Sequence, residues 1–268
     1  MERIGFVGGG NMAEALIKGL IASGVYGGSD IVVSDVRAER LSYLKEEYGV
    51  RTTDENAVTA KARIVVLAVK PQNMGEALLS IKGALGRESL IISIAAGVKV
   101  ERITEALGDA AVVRVMPNTP ALVGEGASGL YANKKARGMV GEALEIFLAV
   151  GKAVMVEKEE LIDAVTAVSG SGPAYYFLLM EEMIKAGVEL GLSEEDAAEL
   201  VLQTAKGAAA LALEAGKEGE GPAELRGKVT SPGGTTEAAM EVLSKRKFGA
   251  MIAEAIKRAA ERSRELSG

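Results

Sequence analysis

Short apolar runs, mostly of β-branched residues, recur through the first half of the chain at 4–7, 31–33, 64–69, 90–94 and 112–115. Alternate positions within each run are apolar on both sides, which is the pattern of a strand covered on two faces rather than one with a wet face. Between the runs, stretches at about 11–23, 37–48, 54–60, 73–84 and 100–107 carry helix-like spacing. Such alternation predicts an α/β domain with a doubly wound, mostly parallel sheet. Two further strand candidates, 129–132 and 153–156, flank a helix near 134–149 and are expected to finish the sheet at its edge.

Beyond about residue 157 the strand pattern stops. The segments 173–190 and 193–215 read as long helices separated by Gly191-Leu192, a helix stop followed by Ser193 as N-cap. Shorter helices are expected at 222–227, from near Thr235, and at 248–266. The chain is therefore expected to divide into a dinucleotide-binding domain, 1–157, and an all-helical domain, 158–268. Helices so rich in Ala lack the bulk for a core of their own. Packing on the sheet domain is one way to cover them; the favoured expectation is packing on a second copy of the chain, which makes a homo-oligomer.

Charge and composition narrow the function classes. Among 268 residues, 31 Lys and Arg face 37 Asp and Glu, a net charge of −6, whereas a nucleic-acid or anionic-membrane binder would lean the other way. The first residues enter a strand directly, and no apolar run approaches the roughly 18 residues that span a bilayer. No nucleic-acid or membrane partner is expected, and the expected location is the cytoplasm. There is no Cys, so no thiolate nucleophile, disulfide or Cys-held metal. There is also no His, which removes the commonest metal ligand and the commonest general acid–base. No metal site is expected.

The string Gly8-Gly9-Gly10-Asn11-Met12-Ala13 follows the first strand and opens the first helix. In G-x-G-x-x-A the first Gly makes the turn, Gly10 lets backbone approach a pyrophosphate, and Ala13 permits close helix–strand packing, with the helix N-terminus facing the phosphates. Asp35, at the end of the second strand, could accept from a ribose 2′-OH and repel a 2′-phosphate, which points to NAD. Arg37, helped by Ser34, could instead grip the 2′-phosphate of NADP, and Asp35 could simply cap the next helix. Ala68-Val69-Lys70-Pro71, Ala95-Ala96-Gly97 and Asn118 lie at later strand ends, where ligands of open α/β sheets bind; ordinary turn chemistry is the competing reading.

A second informative string is Ser231-Pro232-Gly233-Gly234-Thr235-Thr236. Two glycines and two hydroxyl residues at a helix start gather backbone N–H groups and Oγ atoms around one point, a cradle for a carboxylate. A plain N-cap would need less. Tyr131 and Lys135 spell Y-x-x-x-K, but Tyr131 closes a strand rather than riding a long helix, so the match is set aside as coincidence. A dinucleotide site with a carboxylate cradle suggests hydride transfer to a small acid. Reduction of a protonated C=N bond suits a chain without imidazole, because it passes through no alkoxide; Thr236 could orient the nitrogen or exchange a proton through water.

These strings, with Ser93 to Val98, Met116-Pro117-Asn118-Thr119-Pro120, Leu161 to Thr166 and Ser169-Gly170-Ser171-Gly172-Pro173-Ala174-Tyr175, resemble the pyrroline-5-carboxylate reductase family over essentially the whole chain. The resemblance implies a Rossmann-type N-terminal domain, an all-helical domain that interlocks with a partner subunit, and often a decamer of five dimers. It implies reduction of 1-pyrroline-5-carboxylate to L-proline with NADPH or NADH. By position it puts Ser231, Gly234 and Thr235 on the substrate carboxylate and Thr236 at the ring nitrogen, as the catalytic candidate. Gly8, Gly10, Asn11 and Met12 would hold the pyrophosphate, while Ala68, Lys70, Ala95, Ala96 and Asn118 would line the rest of the channel. This chain departs from many family members with Gly221-Pro222 in place of His-Pro, and with Asp35 in place of Ser or Thr. The rival readings are a related imine reductase, a β-hydroxyacid dehydrogenase, whose helical-domain Lys pattern Lys185 does not complete, and a non-catalytic nicotinamide-binding sensor.

Overall fold

The computed structural model describes residues 3–267. They fall into two compact units, one comprising the residues up to Pro173 and again from Arg258, the other Ala174–Lys257.

The first unit is a sheet of eight strands: β1 (Ile4–Val7), β2 (Ile31–Ser34), β3 (Arg51–Thr53), β4 (Ile64–Leu67), β5 (Leu90–Ser93), β6 (Ala111–Met116), β7 (Gly126–Ala132) and β8 (Gly151–Met155). Their order is β3-β2-β1-β4-β5-β6-β7-β8, parallel from β3 to β6, with β7 antiparallel to β6 and β8 parallel to β7. Helices α1 (Asn11–Ala22), α2 (Ala38–Tyr48), α3 (Asn56–Thr59), α4 (Met74–Ile81), α5 (Val100–Leu107), α6 (Val140–Leu148) and α7 (Leu161–Val165) accompany it. The strand pattern explains why both sides of each run are apolar. Ile4 and Phe6 enter one core cluster with Leu16 of α1 and Phe147 of α6, while Val7 enters the other with Met74 of α4 and Ile103 of α5. Ile64 and Val66 divide from Val65 and Leu67 in the same way. Each such side chain stabilises the fold by about 1.5–3 kcal/mol when fully buried.

Several boundaries differ from the sequence expectation. β3 was not expected, because Arg51, Thr52 and Thr53 form a polar, only partly covered edge strand with no apolar signature. β4 ends at Leu67, so Ala68 and Val69 lie outside the strand. The helix expected at 54–60 is a single turn, and that at 134–149 opens as a 3-10 turn, Lys134–Met139, before α6. A five-residue π-helix, Thr166–Gly170, follows α7. The last strand ends near the expected change at 157, but the first unit runs on to Pro173. Here α7 packs so closely on β7 that a Cβ at Gly129 would lie 2.5 Å from a Val165 methyl.

The remaining helices are α8 (Gly172–Glu189), α9 (Glu194–Gly216), α10 (Pro222–Lys228), α11 (Thr235–Lys245) and α12 (Phe248–Leu266). In the second unit the only buried apolar residues among those described are Ala197 and Val201. The end of α12 belongs to the first unit, where the Ser263 hydroxyl donates to Asp163 Oδ1 at 2.6 Å. Gly97, at φ +72°, lies against the Leu266 carbonyl, which a Cβ there would approach to 2.9 Å. No helix among the described residues is long and apolar enough to cross a membrane.

Candidate active site

Strand order reverses between β1 and β4, the point at which crossovers go to opposite sides and leave a crevice at the carboxyl edge of an open sheet. The loop after β1 sits there. Gly8 has φ +99°, a backbone conformation that L side chains rarely adopt, and a Cβ on it would meet the Ala68 carbonyl oxygen at 2.8 Å and Val69 at 3.1 Å. Its amide donates to the Ser34 carbonyl at 2.8 Å. Gly10 is the N-cap of α1 and has no side-chain cap, and nothing lies within 4 Å of the place its Cβ would occupy. An uncapped helix N-terminus behind an open glycine fits a dinucleotide pyrophosphate. Asn11 is exposed beside it, while the Met12 side chain packs on the core, leaving its backbone as the group on offer.

The end of β2 is more constrained than its sequence suggests. Asp35 Oδ2 accepts from the Gly9 amide at 2.9 Å, and Oδ1 accepts from the Arg37 amide and Nε, both at 3.0 Å. Burial pushes this carboxyl up, but the Arg37 guanidinium and the two amides outweigh it and hold Asp35 below its ordinary value. Asp35 is not itself the N-cap of α2, which is Arg37, but its Oδ1 holds the Arg37 amide at the helix entrance, so a turn-holding role stands beside the ribose reading. Ser34 needs correction as a cofactor contact. It is fully buried, and its hydroxyl donates to Asn56 Oδ1 at 2.7 Å, so it braces α3 instead of reaching a phosphate.

Ala68, Val69, Lys70 and Pro71 follow β4 at the same edge, with Lys70 and Pro71 exposed. After β5, Ala96 is exposed, but the Ala95 methyl belongs to the core and Gly97 is occupied by the end of α12. Asn118 holds its turn: Oδ1 accepts from the Ala127 amide at 2.8 Å, and Nδ2 donates to the Ser169 carbonyl at 3.2 Å. Its amide is spent on joining β7 to the π-helix, which is the second of the two roles open to it from sequence.

In the second unit, Ser231, Gly234, Thr235 and Thr236 meet at the N-terminus of α11, whose N-cap is Gly234. The cradle is narrower than the sequence implies. The Gly233 amide donates to Glu237 Oε2 at 2.7 Å and the Gly234 amide to the Ser231 carbonyl at 3.0 Å. The donors suited to an anion are therefore the first helical amides, Thr235 and Thr236, with the three hydroxyls. A Cβ at Gly234 would come within 2.7 Å of Ser231 Oγ, so glycine there lets the Ser231 hydroxyl fold over the helix start.

The sequence reading missed a cluster behind the glycine loop. Arg40 of α2 donates through Nε to the Gly9 carbonyl at 2.5 Å and pairs through Nη2 with Glu14 of α1. Tyr43 and Tyr48 donate their hydroxyls to Glu14 Oε1 at 2.9 and 2.8 Å. Burial raises Glu14, but Arg40 and the two tyrosines outweigh it and leave its carboxyl below the ordinary range. Glu14 in the first turn of a helix was the one visible signal; its partners come from another helix.

Residues 159–266 match the family described as pyrroline-5-carboxylate reductase dimerisation, and residues 3–97 that described as NADP oxidoreductase, coenzyme F420-dependent. The pyrroline-5-carboxylate reductase of Pseudomonas aeruginosa is 48% identical over 268 residues, 99% of this chain and 97% of that protein. The Synechocystis enzyme of the same name is 44% identical, over 98% of each chain. Among solved structures, a pyrroline-5-carboxylate reductase from Coxiella burnetii superposes with a TM-score of 0.94 at 42% identity, covering 100% of this chain and 99% of that one. Plasmodium falciparum pyrroline carboxylate reductase, with NADP bound, gives 0.87 at 32% identity, covering 100% and 98%. With its glycine loop at the switch point and its Ser-Pro-Gly-Gly-Thr-Thr helix start, the chain belongs to the pyrroline-5-carboxylate reductase family.

Proposed function

We propose that this enzyme reduces 1-pyrroline-5-carboxylate to L-proline with NADH or NADPH, the final step of proline biosynthesis. The observation that carries the reading is the helix start of α11, where three hydroxyls and two leading amides suit one small carboxylate, in a chain that also offers an open dinucleotide loop. Bound NAD(P)H supplies the hydride. Ser231 and Thr235 hold the substrate carboxylate, with Gly234 leaving room for the Ser231 hydroxyl at the helix start, and the Thr236 hydroxyl orients the ring nitrogen. The protonated imine already carries the positive charge that draws hydride: the C=N π bond opens onto nitrogen as the new C–H bond forms. No imidazole is required, which agrees with a chain that has no His.

Gly8, Gly10, Asn11 and Met12 offer backbone to the pyrophosphate, with Ala68 to Pro71 and Ala96 along the remaining edge. Asp35 meets the adenosine ribose. Its carboxylate is held ionised and tied to Gly9, so a 2′-phosphate would face a fixed negative charge unless Arg37 left the ion pair to meet it. We therefore assign the preference to NADH. The functional division falls near residue 157, coenzyme on the N-terminal side and substrate and dimer contacts on the other. The exposed apolar residues of the helical unit, Tyr176, Phe177 and Leu178 among them, support a homodimer through that unit; assembly of five such dimers into a decamer rests on the family resemblance alone. The cytoplasm is the compartment we assign.

A steady-state assay with pyrroline-5-carboxylate and each coenzyme tests the reading. Proline formation with a higher kcat/KM for NADH is expected. Thr236→Ala should lower kcat by roughly tenfold, the equivalent of one lost hydrogen bond in the transition state, with the coenzyme KM unmoved. Turnover of 3-hydroxy acids instead, or coenzyme binding with no turnover of any cyclic imino acid, would overturn it.

A further inference from the structure

We propose that Arg40 is a positioning residue for coenzyme binding, setting the orientation of the glycine-loop peptides from behind and cancelling the charge of Glu14. It contributes without touching the coenzyme. The inference rests on the reading that this loop holds the coenzyme pyrophosphate.

Arg40 lies on α2, and its side chain is 16% exposed. Its guanidinium is engaged on several sides: Nε on the Gly9 carbonyl at 2.5 Å, Nη2 on Glu14 and, at 3.5 Å, on the Gly10 carbonyl, with Cζ 5.2 Å from the Tyr43 ring centre. In a trans peptide the carbonyl and the following N–H point in opposite directions. Holding the Gly9 carbonyl towards α2 therefore turns the Gly10 amide away from α2. The Gly9 amide is fixed in turn by Asp35. The peptides on both sides of Gly9 thus have side-chain anchors, although three successive glycines are the freest backbone a chain can have.

Glu14 supplies the second argument. It stands in the first turn of the helix whose N-terminus would face a pyrophosphate, and a bare carboxylate there would repel that anion. Arg40 neutralises it, while the Tyr43 and Tyr48 hydroxyls keep Glu14 in place to receive the guanidinium. Arg37 provides the contrast: its side chain is 61% exposed and, among the described residues, pairs with Asp35, so it has the freedom to meet a ligand that Arg40 lacks.

The test is coenzyme binding by the purified full chain, measured by titration calorimetry with NADH and with NADPH in the absence of imino acid, alongside steady-state kinetics. Arg40→Gln should weaken both coenzymes by a similar factor, roughly tenfold, as expected for one charge-assisted contact. The coenzyme KM should rise with it, while kcat at saturating coenzyme stays within about twofold. Arg40→Lys, which keeps the charge, should recover part of the loss, and Tyr48→Phe should show the same effect at about two- to threefold; these gentler variants decide the matter if Arg40→Gln does not fold. Unchanged affinity in the variants overturns the proposal, as does a loss confined to NADPH, which would make Arg40 a reader of the 2′-phosphate. Failure of the unaltered chain to bind either coenzyme would instead remove the functional reading, and this proposal with it.

Discussion

In the sheet unit, Ile4, Phe6, Leu16, Ile64, Ile92 and Phe147 are completely shielded from water, whereas in the helical unit Tyr176, Phe177, Leu178 and Leu213 keep 59–68% of their surface exposed. The first unit completes its core from its own sequence, drawing on a strand pattern that feeds two clusters at once. The second buries only Ala197 and Val201 among its apolar side chains. A helical unit with so little interior is what a dimerisation region requires, in keeping with the family matched over residues 159–266. The unit with the glycine loop is built for autonomy, and the unit with the proposed carboxylate cradle for partnership.

The largest effect should come from breaking the partnership. If Phe177 and Leu178 lie in the proposed dimer contact, replacing them together by Asp places unpaired charges there, which costs about 3–5 kcal/mol and weakens association by more than a hundredfold. Light scattering should then report a monomer without proline-forming activity, and an unchanged mass would show that these residues face water in the assembly. A smaller effect separates the two helix starts. Gly8→Val strains a residue at φ +99° and drives its side chain into the Ala68 carbonyl, for about 1–3 kcal/mol of lost stability and a raised coenzyme KM. Gly234, at φ −86°, has a backbone that any residue adopts, but a Cβ there would meet Ser231 Oγ at 2.7 Å and the Ser231 carbonyl at 3.0 Å, so Gly234→Ala should cost less stability than Gly8→Val and spare coenzyme affinity. It displaces the Ser231 hydroxyl, and the imino-acid KM should rise roughly tenfold, the loss of one hydrogen bond.

The smallest effect is electrostatic and confined to the sheet unit. The folded-state carboxyls of Glu14 and Asp35 both lie below their ordinary values. Their stabilisation is therefore complete above the unfolded carboxylate range, about pH 4, and is lost as pH falls through the lowered folded values. Melting temperatures of Glu14→Gln and Asp35→Asn should lie below that of the unaltered chain at pH 7 and converge with it as pH falls through the lowered folded values. A gap that stays constant across this range would assign the loss to packing.

Much of this was legible where one local pattern decides the outcome. The strands at 4–7, 31–33 and 90–94 announce themselves because two faces are apolar, and the glycine loop because only such a string turns a strand into an uncapped helix. Arg51 to Thr53 stayed silent, since an edge strand of polar residues needs only a neighbour. Ser34 was misread because its depth depends on α3, and Arg40 was missed because its partners, Gly9 and Glu14, lie on another segment. The Gly233 and Gly234 amides looked available until the fold committed them to Glu237 and Ser231. Contacts set by local periodicity can be read from one segment; those that join two segments depend on where the chain comes back.

The return of α12 into the sheet unit has a consequence for biogenesis. The ribosome makes Asp163 and Gly97 long before the Ser263 and Leu266 that rest on them, with all of Ala174–Lys257 synthesised in between. The nucleotide-binding half therefore cannot settle its final contacts while translation is still producing the helices, and it acquires its finished form only after the intervening 84 residues have emerged.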